Sequence, residues 1–203
     1  MMKRVACLNC SLIIIKKKHP EFRNVSGLFH KVITNISAEN LVGIFTDSKL
    51  LHTTMRSICI LDGDHKSDLT NFIIALPGKG SPEEVLLTYI EKLFDDDDSF
   101  WRNKTIVDKG YSKNYYITNV KNKVADFEAE LVRLQDKGKS IKGKRRVFNK
   151  NLFNDNQNFF KLVFKHWINN TLNKSEVERF YDELRTLFLK VAPYHEINPK
   201  EWA

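Results

Sequence analysis

The sequence predicts an α/β fold, with a small parallel sheet flanked by helices and an all-helical region after it. Three observations carry this expectation. Short apolar runs alternate with helical patterns over residues 1–120. One of those runs, Ser57 to Leu61, ends in Asp62-Gly63-Asp64. Beyond residue 120 only helical periodicity remains. Strands that alternate with helices imply parallel pairing through crossover helices. The chain therefore divides into an α/β part, 1–120, and a helical part, 121–203, which contains a basic linker at 137–150.

The elements follow in order. Val5-Ala6 reads as the end of a first strand, and Cys10 to Lys18 as a helix that stops at His19-Pro20, because the residue before proline disfavours helical backbone. Lys31 to Ile36 reads as a second strand. Ser37 then caps a helix whose apolar face is Leu41, Val42, Phe45, Leu50 and Leu51. Ser57 to Leu61 is the third strand, apolar enough to be buried on both faces. Asn71 to Leu76 is the fourth, ended by Pro77-Gly78. Ser81-Pro82-Glu83-Glu84 opens a helix: serine suits the cap, proline the first helical position, and acids the positive end of the helix dipole. Val85, Leu86, Tyr89, Ile90 and Leu93 give that helix its core face, and Asp95 to Asp98 follow as a solvated loop. Val124 to Gln135, Asn156 to Asn169 and Ser175 to Val191 are the helices of the second part. Phe148, Phe153, Phe159 and Phe160 read as core, and His166 and Trp167 as packing residues.

Composition narrows the function. The chain has 203 residues and a formal net charge of +8, which favours a polyanionic partner. Its three cysteines suit a reducing compartment and free thiols, so the predicted location is cytoplasmic. Cys7-x-x-Cys10 has no second Cys or His pair at metal-binding spacing. The sequence predicts no secretory signal and no membrane partner, since no apolar segment approaches bilayer length.

The Asp62-Gly63-Asp64 element is the candidate site. In open α/β sheets, ligands bind just past the carboxyl ends of the strands. If the strand continues extended, alternate side chains point the same way and the two carboxylates project together. Hard paired oxygens suit Mg²⁺ or Mn²⁺. The competing reading is a turn that holds two aspartates and a glycine. His65 beside the pair reads as a loop residue, with a ligand or proton-carrying role as the alternative. Lys137, Lys139, Lys142, Lys144, Arg145 and Arg146 form a mobile cationic stretch, free of acids, that is able to bind nucleic-acid phosphates by releasing counterions.

Leu61-Asp62-Gly63-Asp64, then Leu76-Pro77-Gly78, then Ser81-Pro82-Glu83 resembles the Toprim nuclease half of overcoming-lysogenization-defect (OLD) type ATP-dependent endonucleases. The resemblance covers about residues 1–120 and implies a compact Rossmann-like sheet. It implies that Asp62 and Asp64 hold a divalent metal, that Ser81 and Glu83 complete a second metal site, and that Lys113 stabilises the transition state, with Lys109 behind it. It further implies a Mg²⁺- or Mn²⁺-dependent endonuclease acting on DNA or RNA in antiphage defence, with a separate ABC-type ATPase as partner and homo-oligomer formation. Two departures stand beside it. The family's first-strand glutamate, and the second acid that follows it in many members, fall near Ala6 and Cys10, neither of which is an acid, and no Gly-x-x-x-x-Gly-Lys-Ser/Thr loop occurs. The alternative is therefore a catalytically degenerate Toprim module that binds nucleic acid or an ATPase without cleaving. A haloacid-dehalogenase-type phosphohydrolase also places D-x-D after a buried strand, with the first aspartate as nucleophile. That family sets Thr or Val where this chain has His65.

Overall fold

A computed structural model of the chain describes residues 19, 21–30, 32, 36–51, 57–137, 140, 141 and 143–202. The expected first strand, the helix from Cys10 to Lys18, the Cys7/Cys10 pair and most of the Lys31–Ile36 strand lie outside the described residues. In chain order the helices are α1 (Phe22–Val25), α2 (Ala38–Thr46) and α3 (Ser48–Leu51), then strands β1 (Cys59–Leu61) and β2 (Ile73–Ala75), then α4 (Pro82–Asp95), α5 (Lys104–Val107), α6 (Lys113–Tyr116), α7 (Asn122–Asp136), α8 (Lys144–Asp155), α9 (Gln157–Asn169) and α10 (Lys174–Val191). The fold is thus mainly helical, with a small parallel sheet and a helical C-terminal region. No helix among the described residues is long and apolar enough to cross a membrane.

The chain forms two compact units. One comprises Met1–Pro82 with Ile168–Ala203, and the other Glu83–Trp167. The expected boundary near residue 120 falls inside the second unit, within the π-helical turn Ile117–Lys121 that leads directly into α7. Compactness follows spatial contact, and the change from strand to helix along the sequence does not mark it.

In the first unit β1 and β2 pair in parallel, with Cys59 opposite Ile73 and Leu61 opposite Ala75. All of β2 is buried, while β1 alternates in exposure. Ser37 caps α2 as its sequence position suggests, its Oγ accepting from the Asn40 amide at 3.2 Å. Leu41, Val42 and Phe45 of α2 then pack on the buried Ala38, Cys59, Leu61 and Ile73. No helix lies between these two neighbouring strands. Residues 62–72 make the connection instead, as turns organised by Asp68. Its amide donates to Ile73 O at 2.8 Å and its carbonyl accepts from Ile73 N at 2.9 Å. Its carboxylate accepts from Asn71 Nδ2 at 2.7 Å and from the Thr70 and Asn71 amides. Hydrogen bonds from Asn71, side chain first, hold that carboxyl below its ordinary range against the opposing effect of burial. Local side-chain bonding of this kind supplies the turn that a helix would otherwise provide.

A separate aromatic cluster closes the same unit. Trp202, fully buried, packs against Phe22 at 5.0 Å and Phe188 at 4.9 Å, and Phe29 joins Phe188 at 5.4 Å. Tyr181 accepts from Trp202 Nε1 at 3.1 Å and donates to the Glu21 carboxylate. His19 stacks on the Tyr181 ring at 3.5 Å.

The second unit has its own core of Leu86, Ile90, Phe100, Trp101, Phe159 and Phe160. Trp101 Nε1 donates to Leu93 O at 2.9 Å, which satisfies the one polar atom of that ring. Asn156 is buried at the α8–α9 junction and fully engaged: it accepts from Tyr115 Oη at 2.8 Å and donates to Leu152 O at 2.9 Å. Phe153, Phe159 and Phe160 are core residues, while Phe148 is half-buried and stacks on Phe127 at 4.0 Å.

Candidate functional site

Asp62 leaves β1 at its carboxyl end, the position that makes strand termini binding sites in parallel sheets. The backbone does not stay extended beyond it. The His65 amide donates to Asp62 O at 3.1 Å, so Asp62 to His65 form a tight turn. The expectation that the strand continues extended through Asp62 and Asp64 is corrected by this turn, so strand alternation does not set the relation of the two carboxylates. Asp-Gly-Asp chemistry favours turning as soon as ladder hydrogen bonds cease. The aspartates differ in setting: Asp62 is half-buried, whereas the Asp64 side chain is 54% exposed. His65 Nε2 lies 3.6 Å from Asp64 Oδ1.

The turn is seated on the second motif. A Cβ built on Gly63 would stand 2.4 Å from Gly78 O and 3.0 Å from Leu76 O. Only glycine permits that approach of two backbones. Leu76, Pro77 and Gly78 are buried, the Leu76 amide donates to Leu61 O at 2.9 Å, and Gly78 holds a φ of 106°, which L side chains rarely adopt. D-x-D and L-P-G, 14 positions apart in sequence, thus form one rim at the carboxyl ends of two parallel strands.

A polar lattice from α10 supports this rim, and sequence reasoning did not find it. Ser67 Oγ donates to Glu183 Oε2 at 2.7 Å and accepts from the Ala75 amide at 3.1 Å and from Arg179 Nη1 at 3.3 Å. Arg179 Nη1 pairs with Glu183 Oε2 at 2.8 Å, and Glu176 Oε2 accepts from the Gly78 amide at 3.4 Å. Glu176, Arg179 and Glu183 sit at i, i+3 and i+7, one face of a helix. That spacing marks a charged stripe in the sequence, yet nothing local names Ser67 or Gly78 as its partners.

The remaining expected residues fall as follows. Ser81 precedes α4 and is half-buried. Glu83 stands in the first turn of α4 with 7% exposure and opens the second unit. Lys113, in α6, holds Asp97 Oδ1 at 2.5 Å and lies over the Phe94 ring at 5.2 Å. Asp97 also binds Arg102 at 3.0 Å, and these two cations, Lys113 first, hold its carboxyl below the ordinary range. Asp98 caps the turn Ser99–Arg102 by accepting from the Phe100 amide at 2.7 Å. The acidic run is therefore partly structural: two of its members organise the chain after α4.

The basic stretch is only partly a linker. From Lys144 onward it is the helix α8, so Arg145 and Arg146 are helical residues and not part of a mobile tether. The phenylalanines and leucine that follow supply a buried face, and this draws the helix start back into the charge run. Three cations in a first turn oppose the helix dipole. Arg145 is offset by a two-pronged pair with Glu128 of α7, one prong at 2.7 Å. Lys137, Lys144 and Arg146 are exposed, and Lys139 and Lys142 lie outside the described residues.

Among the described residues, no group of three or more His, Cys, Asp or Glu side chains is gathered to hold a metal ion. Mg²⁺ and Mn²⁺ take hard oxygen ligands, and of the two carboxylates at this turn Asp64 is the solvent-exposed one. Asp62 and Asp64 do not by themselves build a two-ion centre. No family model, curated protein or solved structure matches the chain.

Proposed function

We propose that this chain is a Toprim-like, metal-dependent nuclease that engages a phosphodiester through a divalent cation held by Asp62 and Asp64. The observation that carries the reading is the seating of Gly63 on Leu76 O and Gly78 O, which joins the D-x-D and L-P-G elements at the carboxyl ends of parallel strands. When bound, Mg²⁺ or Mn²⁺ supplies Lewis-acid polarisation of a phosphate oxygen and a more acidic water. The chain's own contribution is positional. Asp62, half-buried at the strand end, fixes one oxygen ligand, and the exposure of Asp64 leaves room for a polyanion to approach the other. Lys137, Lys144 and Arg146, exposed in the second unit, give the chain cations that attract a polyanion. Mn²⁺-dependent cleavage of plasmid DNA and of single-stranded DNA and RNA tests the reading. The Asp62→Asn/Asp64→Asn variant, purified identically, falls to background; undiminished cleavage by that variant refutes the assignment.

A second reading keeps cation and nucleic-acid binding and drops hydrolysis. It is favoured by Glu83, expected to serve a second cation, which is buried in the first turn of α4. Here the wild-type chain binds Mn²⁺ through Asp62 and Asp64 and retains labelled DNA or RNA without shortening it.

A further inference from the structure

The second compact unit carries a constellation that the nuclease reading does not use. Tyr89 of α4 and His166 of α9 are 77 positions apart, yet Tyr89 Oη lies 2.8 Å from His166 Nδ1. On the other side of the ring, His166 Nε2 faces Asp98 Oδ1 at 3.8 Å. The imidazole meets the Phe100 ring edge to face at 5.1 Å, and the Asp98 carboxylate is fixed by the Phe100 amide. The His166 and Asp98 side chains are 29% and 31% exposed, so the group opens to solvent.

The arrangement has a defined proton order. A carboxylate beside Nε2 favours the tautomer that carries its proton there, which leaves the Nδ1 lone pair facing the tyrosine hydroxyl. Tyr89 then donates to a base that a third group orients, the arrangement that activates hydroxyl nucleophiles. We propose that Tyr89, His166 and Asp98 form an acyl-accepting site in which the Tyr89 hydroxyl attacks small, uncharged activated esters. In that step Oη bonds to the carbonyl carbon, the ester C–O bond breaks, and the alcohol or phenol oxygen leaves with its electron pair. The hydroxyl proton goes to His166 Nδ1 and from there to the leaving group or to water. Burial draws His166 below its ordinary range and Asp98 opposes that effect, so the ring is a neutral acceptor near pH 7. The Asp98 carboxylate beside the ring disfavours an anionic substrate, which is why the class is uncharged.

The test uses the full chain and p-nitrophenyl acetate, with peptide mapping of all six tyrosines. Tyr194, 51% exposed, is the internal reference. Tyr89 is acetylated roughly a hundredfold faster than Tyr194, the low end of what a positioned general base supplies. Tyr89→Phe removes the fast adduct. His166→Gln keeps a hydrogen-bonding side chain without a basic nitrogen and lowers Tyr89 to the Tyr194 rate with unchanged circular dichroism. If that variant does not fold, Asp98→Asn, which retains an acceptor for the Phe100 amide, slows Tyr89 instead. Equal rates at Tyr89 and Tyr194 in the wild type, or a Tyr89 rate unaffected in whichever of the two base-side variants folds, overturns the proposal.

Discussion

Replacing Gly63 with alanine probes the contact on which the candidate rim depends. The added methyl would stand 2.4 Å from Gly78 O and 3.0 Å from Leu76 O. Both obstructing atoms are backbone, and Leu76, Pro77 and Gly78 are buried, so no flexible side chain can yield. A carbon–oxygen contact is comfortable near ~3.4 Å, so one loop must move by about 1 Å, and such overpacking costs typically about 1–3 kcal/mol. We expect the upper half of that range. Gly43→Ala is the matched control. Gly43 is inside α2 with nothing within 4 Å of its added Cβ, so alanine there stabilises by about 0.8–1 kcal/mol through helix propensity. The assay is equilibrium urea unfolding followed by tryptophan fluorescence, since Trp202 reports on the unit that contains Gly63. Opposite signs for the two substitutions are the expected result. A Gly63→Ala protein as stable as the wild type would show that the D-x-D turn is not seated on the L-P-G loop.

Other substitutions address the lattice and the cores. Ser67→Ala strands the Ala75 amide and removes a hydrogen bond to the Glu183 carboxylate; losses of this kind cost about 1.5–3 kcal/mol, and a change below about 0.5 in urea unfolding contradicts the lattice. Asn156→Leu leaves the Tyr115 hydroxyl without its acceptor in the second unit and costs about 1–3 kcal/mol, read from the same unfolding curves. The Tyr181 hydroxyl is pushed up to about 12, by burial first and by the Glu21 carboxylate second. A raised folded-state value means its contribution is complete below the unfolded tyrosine range near ~10 and is lost as pH rises through about 12, so stability falls across that window in the wild type and falls less in Tyr181→Phe.

Local chemistry made much of the helical framework legible. The Ser37 cap, the Pro82 entry, and the helices from residues 122, 157 and 174 stand near their expected positions, because each is set by residues within a turn of it. Both described strands were also visible as apolar runs ended by turn residues. Two kinds of information were not local. Ser67 and Glu183 are 116 positions apart, and Tyr89 and His166 are 77, so no spacing rule pairs them. The backbone path through D-x-D depended on whether the strand or the turn controlled Gly63, and the close approach of Gly63 to the Gly78 backbone comes from residues far along the sequence. The start of α8 was hidden for a related reason. A run of cations reads as linker until the buried Leu152 and Phe153 further along are known to anchor the helix.

The most direct measurement is a Mn²⁺ titration of the full chain followed by electron paramagnetic resonance, alongside the Asp62→Asn/Asp64→Asn variant. One ion per chain is expected to bind and to disappear in the variant, while Gly63→Ala weakens it. A wild-type chain that takes up no Mn²⁺, or a variant that binds it unchanged, contradicts the assignment of this strand-end turn as a cation site.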